Sequence, residues 1–185
     1  MRVISGCAKG IQLQAVPGKG TRPISDRVKE ALFNILGDEI VDARVLDLFA
    51  GTGSVGIEAL SRGASQAVFV EHRSKATDTI RSNLRRAKLQ AQAEIVRADV
   101  FKYLTRTPAS FDLVYVAPPQ YKGLWRDTLL LLESNPDWLA PTGLAIVQIF
   151  PKELEPLDLV RLQLTEQRKY GSTLLCFYEH RQGDG

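Results

Sequence analysis

From residue 43 onward, short apolar runs alternate with amphipathic segments. The strand-like runs lie at 43–49, 66–71, 93–98, 111–117 and 143–150. Helix-like segments separate them, the shortest near 100–104. Strands rich in Val, Ile, Leu and Phe are typical of parallel sheets that helices cover on both faces. Two more strand-like segments, 161–170 and 172–180, meet at Gly171 and predict an antiparallel hairpin at the sheet edge. The pattern predicts an α/β fold with a doubly wound, mostly parallel sheet of seven strands.

The N-terminal part of the chain precedes this alternation. Residues 2–16 alternate apolar and polar side chains around Lys9-Gly10, which predicts a β-hairpin. A helix follows, with Ser25 as its N-cap and Gly37 as its stop. Its predicted apolar stripe consists of Val28, Ala31, Leu32, Ile35 and Leu36. No linker, repeat or low-complexity tract interrupts the sequence, so we expect one domain over 1–185, with a hairpin appendage at 1–20 and a core at 21–185.

Composition excludes several classes of protein. Apolar stretches such as 129–132 fall far short of the about 20 residues of a membrane-spanning helix, and the start does not resemble a signal peptide. The two cysteines, Cys7 and Cys176, are far apart, and with only two histidines they predict neither a disulfide scaffold nor a metal site. We therefore expect a monomeric protein of the cytoplasm, with no membrane and no metal partner.

Positive charge is concentrated in two blocks, although the net charge is only +3. Residues 1–36 contain six basic and two acidic side chains, and residues 73–88 contain six basic side chains and one acidic. Two such blocks on a near-neutral body favour a polyanion partner, first of all nucleic acid. For 73–88 alone, the solvated face of a helix is the favoured interpretation.

A glycine-rich loop follows the first strand of the core. Gly51, Gly53 and Gly56 form G-x-G-x-x-G between a strand and a helix, which fits NAD, FAD or S-adenosylmethionine. Asp47, at the end of that strand, would repel a pyrophosphate but could accept a hydrogen bond from a methionine ammonium group. Glu71 closes the second strand, where it is positioned to accept from two ribose hydroxyls. These carboxylates predict S-adenosylmethionine as the cofactor.

The end of the third strand allows two interpretations. Asp99 can accept from the adenine amine with Phe101 flanking the ring, or it can be the N-cap of the next helix; the sequence favours neither. Asp-x-Phe-x-Gly-x-Gly with an acid closing the second strand resembles motifs I and II of class I S-adenosylmethionine-dependent methyltransferases, a Rossmann-like fold. The predicted cofactor site comprises Asp47, Phe49, Ala50, Gly51, Thr52, Gly53, Gly56, Glu71, His72, Asp99, Val100 and Phe101.

The fourth strand runs into Ala117-Pro118-Pro119-Gln120-Tyr121, where two prolines force the chain out of the sheet. The segment resembles the (Asp/Asn)-Pro-Pro-(aromatic) motif of amino-group methyltransferases. In that motif, acceptors hold the N–H groups of an exocyclic amine so that its lone pair faces the sulfonium methyl, and an aromatic ring stacks on the extruded base.

This chain departs from the motif twice. Ala117 stands where the acid or amide is expected, and Gln120 stands where the aromatic is expected. The carbonyls of Ala117 and Pro118 and the Gln120 amide can serve as acceptors, and Tyr121 or Trp125 can stack on the base. The alternative is a structural turn in a protein that has lost catalysis.

Segments along nearly the whole chain resemble the RsmD-type family. They lie at 2–13, 21–36, 45–64, 117–121 and 170–179. The resemblance implies methylation of guanine N2 in 16S ribosomal RNA, free or in the 30S particle. It also implies that Arg22, Pro23 and Ser25 close the cofactor pocket beside the methionine end. The RNA contacts that it implies come from Arg2, Lys9, Lys19, Arg22 and Arg27.

Three alternatives remain at this point. The first is another amino-group methyltransferase, acting on adenine N6 or on a glutamine amide of a protein. The second is an assembly factor that binds cofactor and RNA without turnover, because Ala117 has removed catalysis. A nicotinamide-dependent enzyme is the most distant of the three.

Overall fold

A computed structural model describes residues 1–18 and 23–183 of the chain. The strands are β1 (Arg44–Leu48), β2 (Gln66–Glu71), β3 (Ala93–Arg97), β4 (Phe111–Val116), β5 (Leu139–Ile149), β6 (Leu162–Tyr170) and β7 (Thr173–His180). The helices are α1 (Asp26–Leu36), α2 (Ser54–Ser61), α3 (Ser74–Ala87), α4 (Val100–Leu104) and α5 (Leu124–Ser134). None of these described helices is long and apolar enough to cross a membrane.

The seven strands form one sheet in the order β3-β2-β1-β4-β5-β7-β6. Strands β1 to β5 are parallel, and β7 is antiparallel to both of its neighbours. The strand order reverses between β1 and β4, which opens a crevice at their carboxyl ends. The predicted α/β class, the mostly parallel seven-stranded sheet and the C-terminal antiparallel hairpin are confirmed.

Two layers of side chains cover the faces of the sheet. One face packs against α1, α2 and α3 through residues such as Leu32, Ile57 and Ile80. The other face packs against α4 and α5 through residues such as Leu104 and Leu129. Because consecutive residues of a strand point to opposite faces, this two-sided burial accounts for the continuous apolar runs in the sequence.

Strand β5 begins earlier than predicted. It starts at Leu139 rather than at residue 143, and the β4–β5 register shifts between Phe111 and Leu113. Pro141 and Gly143 made residues 139–142 look like a turn, since both residue types are depleted in strands. An irregularity in the pairing accommodates them at the start of the strand.

The N-terminal hairpin is shorter than predicted. Its described part has one antiparallel bridge, between Arg2 and Gln12, and no regular strand. The N–H groups of Ile4 and Ser5 donate to the Glu58 carboxylate at 2.9 and 3.0 Å instead of to a partner strand. Pairing with α2 therefore replaces the β-ladder that the alternation predicted.

Helix α1 has the predicted ends but a different buried face. The Ser25 hydroxyl accepts from the N–H of Val28 at 3.2 Å, and Gly37 ends the helix with a φ of 52°. Ile35 is 36% exposed, whereas Lys29 is fully buried, so the predicted stripe is wrong at Ile35. A salt bridge explains how the core accepts Lys29.

The ammonium of Lys29 has three oxygen partners. It lies 3.3 Å from Glu58 Oε2 and donates to the Arg2 carbonyl at 2.6 Å and to the Ser54 hydroxyl at 2.9 Å. Burial lowers the pKa of Lys29, and the Glu58 charge opposes that shift. The pair connects α1, α2 and the N-terminal segment.

Asn83 of α3 makes a second buried connection to the N-terminal segment. Its Oδ1 accepts from the N–H of Gln14 at 2.7 Å, and its Nδ2 donates to the carbonyls of Gln14 and Thr52, each at 3.0 Å. Asn83 is fully buried. The glycine-rich loop, which contains Thr52, is therefore joined to the N-terminal segment by one side chain.

Candidate active site

A cavity of about 580 Å³ opens at the carboxyl ends of β1, β2 and β4, where the strand order reverses. Its volume is in the range of cofactor and small-molecule sites. Predicted site residues that line it are Asp47, Phe49, Ala50, Gly51, Thr52, Glu71, His72, Ala117, Pro118, Pro119 and Gln120. The structure therefore brings the predicted cofactor motif and the predicted catalytic segment into one cavity.

Backbone conformation and close packing explain the glycines of the loop. Gly51 and Gly53 have φ angles of 57° and 76°, in the left-handed region that favours glycine. A Cβ on Gly56 would lie 2.3 Å from the Phe69 ring, so only glycine lets α2 pack this closely on β2. Gly53 and Gly56 do not line the cavity; they position the loop that does.

Asp47 is a buried carboxylate at the floor of the cavity. It is 2% exposed, and its Oδ2 accepts from the N–H of Gly56 at 3.1 Å. Burial raises the pKa of Asp47 to about 8; the Gly56 hydrogen bond opposes the shift and the Glu71 charge adds to it. No cation lies beside Asp47 among the described residues. A buried carboxylate that faces a cavity without a cation fits a ligand ammonium group.

Glu71 supports the glycine-rich loop as well as facing the cavity. Its Oε2 accepts from the N–H of Gly51 at 3.0 Å, and its Oε1 accepts from the N–H and the Nε of Arg73 at 2.9 and 3.2 Å. Burial favours a higher pKa, but the Arg73 hydrogen bonds and charge outweigh it and lower the pKa of Glu71. A carboxylate has about four acceptor positions, so a second ribose hydroxyl would require the Arg73 side chain to move.

Asp99 adopts the structural one of its two interpretations. Its Oδ1 accepts from the N–H of Lys102 at 3.1 Å and caps α4. Asp99, Val100 and Phe101 do not line the cavity, but the Phe101 ring meets Phe49 edge-on, with 6.4 Å between centroids. Phe101 therefore supports a ring that lines the cavity.

The start of α1 forms another wall of the cavity. Pro23 and Ile24 line it, whereas Ser25 caps the helix instead. Arg22, predicted to close this wall, lies outside the described residues, as does Lys19. Arg27 is exposed and does not line the cavity.

The predicted RNA-contacting residues that the structure describes lie on the surface. Arg2 and Lys9 are exposed on the N-terminal segment. The Arg2 guanidinium lies 3.7 Å from Asp26, with a side chain that is 59% exposed. Both basic groups are therefore accessible to a large polyanion.

The segment after β4 divides into a cavity-lining part and a surface part. Ala117, Pro118, Pro119 and Gln120 line the cavity, whereas Tyr121 is 67% exposed and stacks on Phe150, with 5.1 Å between ring centroids. The N–H groups of these two aromatic residues both donate to the Glu153 carboxylate, at 2.7 and 3.0 Å. Trp125 is 2% exposed within the core, so the suggestion that it stacks on a base is wrong.

Several cavity residues escaped the sequence analysis: Ile24, Ser54, Val55, Arg73, Tyr115, Lys122 and Gln148. Two of them carried a usable signal. Tyr115 precedes Ala117 by two positions on one strand, so both point to the same face. Gln148 is the single polar residue between apolar residues 144 and 150.

Comparison with known proteins agrees with this geometry. The family model described as "Conserved hypothetical protein 95" matches residues 1–179. The chain belongs to the RsmD-type methyltransferase family. It is 40% identical to "Ribosomal RNA small subunit methyltransferase D" of Escherichia coli over 149 residues, which cover 80% of this chain and 74% of that protein. It is 38% identical to "Putative rRNA methyltransferase YlbH" of Bacillus subtilis, covering 98% of this chain and all of that protein.

Solved structures extend the RsmD-type likeness over the fold. "Putative methyltransferase yhhF from Escherichia coli" superposes with a TM-score of 0.85 at 36% identity and covers 99% of each chain. The family recognised in the sequence and its cofactor, S-adenosylmethionine, are confirmed. The residues present fit that cofactor, because the cavity places a buried carboxylate without a cation near one end and a second carboxylate at the end of β2.

Proposed function

We propose that this RsmD-type protein transfers a methyl group from S-adenosylmethionine to the exocyclic N2 amine of a guanine in small-subunit ribosomal RNA. The observation that carries the proposal is the single cavity shared by the glycine-rich loop and the Ala117-Pro118-Pro119-Gln120 segment. A methyl donor and a planar amine must meet in one enclosed space, since their alignment supplies much of the rate enhancement. We also propose that residues 1–185 act as one methyltransferase domain.

Each wall of the cavity has a separate task in this proposal. Asp47 accepts from the methionine ammonium, and Glu71 accepts from the ribose. The carbonyls of Ala117 and Pro118 accept N–H groups of the target amine, which turns its lone pair toward the methyl group. The bound cofactor supplies an electrophilic methyl on a sulfonium, which already carries its leaving group.

Small-subunit RNA is the favoured substrate for two reasons. The named relatives at 36–40% identity are small-subunit ribosomal RNA methyltransferases. The N-terminal segment also presents the accessible basic groups of Arg2 and Lys9, which suit phosphate contacts. A target base must leave its stack to reach a cavity of this kind, which costs least in RNA loops.

The test is methyl transfer from labelled cofactor to 30S particles purified from cells that lack the corresponding gene. Protein-free 16S RNA, DNA and protein extract serve as parallel substrates. Nucleoside mass spectrometry of the labelled RNA should show 2-methylguanosine. N6-methyladenosine, or label in the protein fraction, would replace the proposed acceptor, and cofactor binding without transfer would favour an assembly factor.

A further inference from the structure

We propose that Gln148 supplies the side-chain acceptor for the target amine that Ala117 lacks, and that Tyr115 holds its amide in place. This inference rests on the proposed function and names a further catalytic residue, Gln148, and a positioning residue, Tyr115. The departure from the amino-methyltransferase motif at Ala117 then has a compensating group within the same cavity.

Strand register places Gln148 beside Ala117. Strands β4 and β5 are parallel, and Val116 pairs with Val147, so Ala117 and Gln148 are the next residues on the two strands. Residues in register project to the same face of a sheet, and both of these line the cavity. A long amide at 148 can therefore reach the space that an acidic side chain at 117 would occupy.

Tyr115 fixes the orientation of the Gln148 amide. Its hydroxyl donates a hydrogen bond to Gln148 Oε1. Tyr115 is 2% exposed, and burial raises its pKa well above the ordinary value, so the hydroxyl keeps the proton that it donates. An amide oxygen can accept two hydrogen bonds, which leaves one position on Oε1 for an N–H of the target amine.

Gln148 is better placed for this task than Gln120. Gln148 lies on a central strand, is half-buried and has a buried partner, whereas Gln120 is exposed in the segment after β4. An acceptor that is already immobilised loses less conformational entropy when the substrate arrives. The same fixed geometry stabilises the positive charge that develops on the amine nitrogen.

In the transfer step, the lone pair of guanine N2 forms the N–C bond while the C–S bond breaks. The electron pair of the C–S bond leaves with sulfur, which becomes a neutral thioether. One N2 proton then passes to water. Gln148 takes no proton; it accepts one N–H while a carbonyl of the segment after β4 accepts the other.

The experiment measures single-turnover methyl transfer to 30S particles at saturating cofactor. Gln148→Leu, which keeps the side-chain size, should lower the rate about 10²- to 10³-fold, as loss of one preorganised hydrogen-bonding group does. Tyr115→Phe, which removes only the hydroxyl, should lower it about 5- to 10-fold. Both variants should bind S-adenosylmethionine with wild-type affinity in calorimetry and keep the wild-type melting temperature within a few degrees.

A rescue and a matched control separate catalysis from folding. Ala117→Asp added to Gln148→Leu should restore much of the rate, because it returns an acceptor to the neighbouring position. Gln167→Leu makes the same chemical change on the exposed face of β6 and should leave the rate unchanged.

The outcomes distinguish this inference from the function on which it rests. A wild-type protein without transfer activity overturns both. An active wild type with wild-type rates in Gln148→Leu overturns only this inference, as does a Gln148→Leu variant whose defect is weaker cofactor binding. A larger defect in Gln120→Ala than in Gln148→Leu would assign the acceptor to Gln120 instead.

Discussion

Replacing Asn83 with alanine should destabilise the protein far more than a polar substitution on an outer helix usually does. Asn83 is fully buried and makes three hydrogen bonds, two with the backbone of Gln14 and one with the carbonyl of Thr52. Each such bond contributes about 1 kcal/mol net, so their loss costs about 3 kcal/mol. For a chain of this size that corresponds to a melting temperature lowered by roughly 6–12 °C.

The adjacent Ser82 provides the matched control. Its hydroxyl donates to the Gln14 side chain at 2.8 Å in an exposed setting and does not reach the glycine-rich loop. Ser82→Ala should therefore change the free energy of unfolding by less than about 0.5 kcal/mol. Scanning calorimetry of the two variants and the wild type at one pH measures the difference. If Asn83→Ala melts within about 2 °C of Ser82→Ala, the three buried hydrogen bonds do not stabilise the junction between the N-terminal segment and the loop.

Three further predictions concern the cavity and the N-terminal segment. Asp47 keeps a proton in the folded protein up to its pKa of about 8, whereas an unfolded aspartate releases it near pH 3.9. Wild-type stability should therefore fall as pH rises through this interval, and Asp47→Asn should flatten the fall in melting temperature while weakening cofactor binding; an unchanged pH dependence would contradict the assigned pKa. Glu71→Ala should raise the dissociation constant of S-adenosylmethionine about 30-fold, a loss of roughly 2 kcal/mol, and an unchanged constant in calorimetry would remove Glu71 from the ribose site. Replacing Lys9, Lys19 and Arg22 together should lower the slope of log RNA affinity against log salt by up to about 0.7–0.9 for each phosphate that is no longer neutralised, and a wild-type slope would mean that these residues do not bind RNA.

The order and type of the core elements could be predicted from sequence because their burial is periodic. A run such as 66–71 is buried on both faces and bounded by polar turns, so pattern and structure coincide there. The N-terminal hairpin was predicted too long, since alternation cannot reveal that the Ile4 and Ser5 N–H groups bond to a carboxylate 53 or 54 residues away. Burial of Lys29 escaped prediction for the same reason, because its partner Glu58 is distant in the chain.

The cofactor loop could be predicted because its residues are consecutive in the sequence. Gln148 could not, because its relation to Ala117 exists only once β4 and β5 are paired in register. The role of Asp99 was undecidable for a different reason: a helix cap and an adenine acceptor have the same sequence signature, and only the hydrogen bond to Lys102 distinguishes them.

The N-terminal segment is attached to the core almost entirely through its main chain. The core side chains of Glu58, Lys29, Asn83 and Arg86 bind backbone N–H or carbonyl groups of residues 2–14. Main-chain groups are the same for nearly every residue type, so this attachment places little demand on which side chains the segment carries. Its outward-facing residues can therefore diverge during evolution, changing which nucleic acid surface is recognised, without refolding the segment or disturbing the cavity beneath it.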